Sequence, residues 1–97
     1  MASYITLMNF TEQGAKSIKE TVKRSEAAQK VAKEYGVTFK SIHWTWGQYD
    51  VVAELEAKDE ASLAAFGLAM ASLGNVRSQT LRAFTADEIK AFITKIP

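Results

Sequence analysis

Three side chains stand close enough in sequence, and are of the right types, to do chemistry together: His43, Asp50 and Glu54. An imidazole beside carboxylates can act as a general base, because its proton moves near neutral pH and a carboxylate can orient the ring. One imidazole with two carboxylates could also form a facial triad for iron, but such triads normally use two histidines. This chain has a single histidine. No metal and no cofactor is therefore expected, and His43 and Asp50 stay as candidate catalytic residues. Asp50 has three open roles: orienting His43, accepting backbone N–H groups at a turn, or pairing with Arg82 or Arg77. Zero cysteines remove thiolate nucleophiles and sulfur-ligated metals. P-loops, dinucleotide fingerprints, zinc spacings and serine-nucleophile constellations are missing as well.

The element that must position these groups is a hairpin in "HWTWGQYDVV". Val37 to Trp46 and Tyr49 to Ala57 read as strands joined by Gly47-Gln48, a two-residue loop with the glycine-first preference of a type II′ turn. That loop sets Trp46 opposite Tyr49, Thr45 opposite Asp50, Trp44 opposite Val51 and His43 opposite Val52. The period of two then sends Trp44, Trp46, Tyr49, Val51 and Leu55 to the helix-covered face, as core. His43, Asp50, Val52, Glu54 and Glu56 go to the opposite face, where Asp50 and Glu54 are diagonal neighbours of His43. Phe39 and Lys40 fit this register only if a β-bulge lies near Lys40.

The rest of the chain supplies a frame. Tyr4 to Phe10 reads as a strand. Thr11 caps a long helix with an apolar stripe through Ala15, Ile18, Val22, Val31, Ala32 and Tyr35, closed by Gly36. Asp59 caps a second helix that ends at Gly74 and is apolar almost all round, so it should be covered on more than one side. Val76 to Phe84 is a fourth strand. Thr85 and Glu88 make a capping box for a last helix carrying Ile89, Phe92, Ile93 and Ile96, placed against Phe66 and Met70 of the same chain or of a neighbour. The order β-α-β-β-α-β plus a C-terminal helix is an α+β, ferredoxin-like pattern with an antiparallel four-stranded sheet. A central first strand is expected to align Tyr4, Thr6, Met8 and Phe10 with His43 and Asp50, joined by Ser78, Thr80, Arg82 and Phe84. Tyr4, Phe10, His43, Asp50 and Arg82 are thus the candidate ligand-binding set. A face this rich in large apolar groups needs a cover, most simply a second copy across a two-fold axis.

Composition narrows the partners. With 97 residues the chain reads as one domain, 1–97, and its net charge of +1 gives no field for steering nucleic acid. The lysines and Arg24 of the first helix alternate with Glu20, Glu26 and Glu34, as on a solvated face. No segment approaches the ~20 apolar residues of a membrane span, and the expected setting is cytoplasmic.

The segments "WTWGQYDVVAELEA", "GNVRSQTLRAFT" and "LMNFTEQGAKSIKE" resemble the GYD domain family over residues 4–88, with Gly47, Tyr49 and Asp50 matching its G-x-Y-D hallmark. The resemblance implies a dimeric α+β barrel, a group that holds cofactor-independent monooxygenases, haem-handling enzymes and regulatory binding domains. Two functions follow as expectations: a homo-oligomeric binding or assembly module with a small-molecule cavity on the sheet face, or a cofactor-independent monooxygenase in which His43, helped by Asp50, deprotonates a small aromatic substrate.

Overall fold

The computed structural model describes residues 1–97 and has the expected α+β architecture. The elements are β1 (Ala2–Phe10), α1 (Glu12–Lys16), a 3₁₀ turn (Ile18–Glu20), α2 (Thr21–Glu34), β2 (Val37–Trp44), β3 (Val51–Ala57), α3 (Glu60–Ser72), β4 (Val76–Ala83) and α4 (Ala86–Ile93). The four strands form one antiparallel sheet in the order β2-β3-β1-β4, the ferredoxin-like arrangement.

Register decides which side chains meet. Trp44 pairs with Val51, His43 with Val52 and Ile42 with Ala53, and the ladder shifts between Phe39 and Ser41. The extra residue is Lys40, at the bulge the alternation required, and the shift turns Phe39 toward the helices, where its ring meets Phe66 edge-on at 6.1 Å. Tyr4, Thr6 and Met8 pair with Leu55, Ala53 and Val51. Directly opposed residues share a face, so the Tyr4, Thr6 and Met8 side of β1 lies under the helices. Tyr4, Thr6, Val51, Ala53, Leu55 and Ala57 are buried, and Phe66 of α3 caps the cluster with Leu63 and Val37. The open face instead carries Ile5, Leu7, Val52 and Leu81.

The first helical segment is broken rather than continuous. Gly14 approaches Asn75 so closely that a Cβ would lie 2.0 Å from the Asn75 carbonyl oxygen, which pins α1 to the start of β4. The chain leaves the α-helix at Ser17, passes through the 3₁₀ turn and resumes α-helix at Thr21. The Arg24 guanidinium donates to the carbonyl oxygens of Gly14 and Ser17 at 3.2 and 2.8 Å, adding side-chain partners at the break, where the Ser17 carbonyl also accepts the Glu20 N–H at 2.9 Å. Ile18 and Val22, expected in the apolar stripe, are exposed; Ala28, Val31, Ala32 and Tyr35 do the packing.

The second half is less well covered. In α3 only Leu63 and Phe66 are buried, while Leu68 is 74% exposed, so the expectation of cover on several sides fails within one chain. Helix α4 starts with the capping box between Thr85 and Glu88. Its Phe92 meets Phe84, just past the end of β4, at 5.1 Å, and no aromatic contact joins it to Phe66; Ile89, Phe92, Ile93 and Ile96 are left exposed. No helix is long and apolar enough to cross a membrane.

Candidate functional site

The hairpin tip is wider than a two-residue loop. Thr45 and Asp50 close the ladder, the Thr45 N–H donating to the Asp50 carbonyl at 2.8 Å and the Thr45 hydroxyl to the Tyr49 carbonyl. Gly47 has φ +155°, a backbone conformation that suits glycine, as its place at the reversal requires, but the strand ends at Trp44. Trp46 therefore does not reach the core and is fully exposed. Trp44 keeps the helix-facing side but, at 41% exposed, is not core as expected; its indole N–H donates to the Thr21 hydroxyl at 3.0 Å.

Asp50 is a strand-end anchor. Its backbone N–H donates to the Met8 carbonyl at 2.9 Å, and its carboxylate Oδ2 accepts the Phe10 N–H at 2.9 Å. Together they tie the mouth of the hairpin to the end of β1, so the G-x-Y-D motif joins a turn to the central strand. Of the three roles open to Asp50, accepting a backbone N–H is the one the geometry displays.

His43 is exposed on the open face, with Ile5, Leu7, Val52 and Leu81 on that same side, and it hydrogen-bonds to neither Asp50 nor Glu54. No group of three histidine or carboxylate side chains is close enough to hold a metal ion.

The five candidate ligand-binding residues do not share one surface. Tyr4 is buried under the helices, and Arg82, opposite it in β4, lies on the same side, 5.5 Å from the Tyr4 ring centroid and 4.4 Å from that of Phe84. Arg82 also pairs with Glu88 of α4 at 3.6 Å. Phe10 alternates with Met8 onto the helix side. His43 alone of the five side chains stands on the open face away from the turn. Both sides of β1 are apolar, and alternation alone does not say which side the helices take; the β1–β3 register decides it.

A partly open cleft of about 220 Å³ lies on the helix side, between α2, α3 and the sheet. Ile42, Trp44, Phe66 and Met70 form part of its apolar wall, and Arg24, Thr6 and Thr80 are among its polar groups. Sequence reasoning places Arg24 on a solvated helix face. Gly14, a poor helix former, is a weak local hint at most; the break that turns Arg24 inward goes with the close approach of Gly14 to Asn75, which is distant in sequence.

Likeness to known proteins extends over nearly the whole chain. The family model of the GYD domain matches residues 4–93. A Thermus thermophilus protein named "Glutamine synthetase and cystathionine beta-lyase binding protein" is 32% identical over 92 residues, covering 94% of this chain and 97% of that one. A crystal structure of a protein from the same organism superposes with a TM-score of 0.57 at 25% identity, covering 89% of this chain and 96% of that chain.

Proposed function

The chain belongs to the GYD domain family, and from that premise we propose that it is a homo-oligomeric binding module that docks on metabolic enzymes. The observation that carries this reading is surface area. A folded monomer of 10.7 kDa exposes about 5,500 Å². This chain exposes 6731 Å². The excess, about 1,200 Å², is larger than the roughly 800 Å² that each partner contributes to an ordinary specific interface. Much of it is apolar: Ile5, Leu7, Val52 and Leu81 on the open face, Leu68 on α3, and Ile89, Phe92 and Ile93 of α4 with Ile96 just beyond its end.

More than one such surface exists, so the module has room both for its own copy and for a different protein. The open sheet face, apolar and with His43 at its margin, suits a copy placed by a two-fold axis. The outer faces of α3 and α4 suit the enzyme partner. The relative named for binding glutamine synthetase and cystathionine beta-lyase makes those two enzymes the partners to try. A monooxygenase has less behind it: His43 hydrogen-bonds to no carboxylate and lies on the opposite side of the sheet from the cleft.

Light scattering coupled to gel filtration tests the first part. The wild type is expected as a dimer or larger species at micromolar concentration, and Leu81→Arg as a monomer; a wild-type monomer would overturn self-association. Co-elution with purified glutamine synthetase or cystathionine beta-lyase tests the second. Enzyme docking fails if neither enzyme shifts the elution of the module.

A further inference from the structure

The cleft on the helix side has features of its own, apart from the surfaces proposed for protein docking. Three observations meet there. Of the 22 residues lining it, 14 are hydrophobic, so it holds an apolar body. At about 220 Å³ it falls below the 300–1,000 Å³ of pockets for drug-sized molecules, which restricts it to a smaller ligand.

The second observation is a charge. The Arg24 guanidinium is anchored by the Gly14 and Ser17 carbonyls and the Ser17 hydroxyl, and it pairs with no carboxylate. Three of its five N–H groups are used, so two are left for an anion. Thr6, also in the lining, is a buried residue whose hydroxyl makes its one hydrogen bond with Thr80 at 3.1 Å. Two hydroxyls joined by one bond spend one O–H and leave one for a ligand oxygen.

The third is a glycine with no local reason to be there. Gly67 sits in the middle of α3, where glycine disfavours helix. A Cβ at this position would meet nothing within 4 Å, and the residue lines the cleft. Neither close packing nor a left-handed backbone demands it. Its effect is to keep the space open.

We propose that this cleft binds a small monocarboxylic acid with an apolar body, its carboxylate on Arg24 and its hydrocarbon against Ile42, Trp44, Phe66 and Met70. Octanoate is a suitable probe and octanol its neutral counterpart. In a Trp46→Phe background Trp44 is the only indole, and it lies in the cleft wall. Its emission is expected to change saturably with octanoate. Arg24→Gln should weaken octanoate about tenfold or more, the worth of a charge-assisted hydrogen bond, and leave octanol unchanged. Gly67→Leu should abolish both responses while the melting temperature holds or rises, which keeps the test decisive should Arg24→Gln fail to fold. Any of three results overturns the proposal: no saturable response to octanoate, equal response to octanol, or unimpaired binding in Gly67→Leu. The assay contains no enzyme partner, so its failure leaves the docking function standing.

Discussion

The two halves of the sheet are hydrogen-bonded alike and covered very differently. β1 pairs with β3 from Ala2 to Met8 and with β4 from Ser3 to Phe10, two ladders of similar length. Yet β3 alternates buried with accessible residues along its whole length, whereas β4 is exposed on both faces at every position between its ends. The difference is made by helices. α2 and α3 close over β2 and β3; α4 reaches β4 only at its start and projects its apolar stripe away. The radius of gyration reflects this, 14.8 Å against about 12.5 Å for a compact chain of this length. Hydrogen bonding sets the topology of both halves, while apolar burial, the dominant favourable term, reaches only one of them within a single chain.

The sharpest test sets Phe66 against Ile93. Phe66 is buried at the meeting point of Tyr35 and Phe39, with ring centroids at 5.9 and 6.1 Å. Truncation to alanine should cost about 3–5 kcal/mol, enough to unfold much of the population of a small domain. Ile93 is 55% exposed, and Ile93→Ala should cost under about 1 kcal/mol in dilute protein. Urea titration measures both. If the two costs were equal, the contrast between halves would collapse, and α4 would be contributing to the core.

Asp50→Ala comes next. It removes the acceptor of the Phe10 N–H and should cost about 1–3 kcal/mol, the penalty for leaving such a donor without its partner. The expected signature is local: hydrogen exchange at Phe10 accelerates more than at residues in the middle of β1. His43→Ala, on the open face, should change stability by under about 0.5 kcal/mol. A cost for His43→Ala matching that of Asp50→Ala would mean that the open face is as structurally committed as the strand end.

How much the residues disclose follows the same division. The covered half is readable because its alternation is one-sided: Val51, Ala53 and Leu55 have one possible face, and the Phe39–Lys40 mismatch exposes the bulge. The caps at Thr11, Asp59 and Thr85 are equally legible, since each is a local hydrogen bond. β1 is ambiguous, apolar on both sides, so its sequence groups Tyr4, Phe10 and Arg82 with His43, although only the long-range register with β3 can decide. The helix break escapes a reading of the residues because its cause, the approach of Gly14 to Asn75, joins positions distant in sequence. Trp46 is misplaced by its hydrophobicity, which marks burial only when a partner surface exists within the chain.

Acid should separate the halves again, more gently. The Ser62 backbone N–H donated to Asp59 holds that carboxyl below its ordinary range, and the Thr85 N–H, with Arg82 adding a smaller effect, does the same for Glu88. A depressed folded pKa means that the unfolded chain binds more protons, so this stabilisation is complete above the usual carboxylate range and is lost as pH falls through the folded value. Helix α3 is held by Leu63 and Phe66 as well as by its cap; α4 has little besides the cap and the Phe84 contact. Far-ultraviolet circular dichroism in acid, below about pH 4, should show fraying that Glu88→Gln already produces at neutral pH, whereas Asp59→Asn should change little.

Trp46 supplies the smallest expected effect on stability and the most direct challenge to the division. It belongs by sequence to the covered half, yet it is 103% exposed, with no cover from its own chain. Trp46→Ala should therefore alter the urea midpoint by less than the equivalent of about 0.5 kcal/mol. An exposed indole is, however, the kind of side chain that dominates protein–protein binding once a partner desolvates it. If the enzyme partner uses the hairpin tip, Trp46→Ala should weaken co-elution by tenfold or more at unchanged stability, about 1.4 kcal/mol or more of binding energy. If binding is untouched and only α3 or α4 substitutions such as Leu68→Glu or Ile93→Glu abolish it, docking belongs to the uncovered half alone, and the contrast between the two halves is then also the line between scaffold and interface.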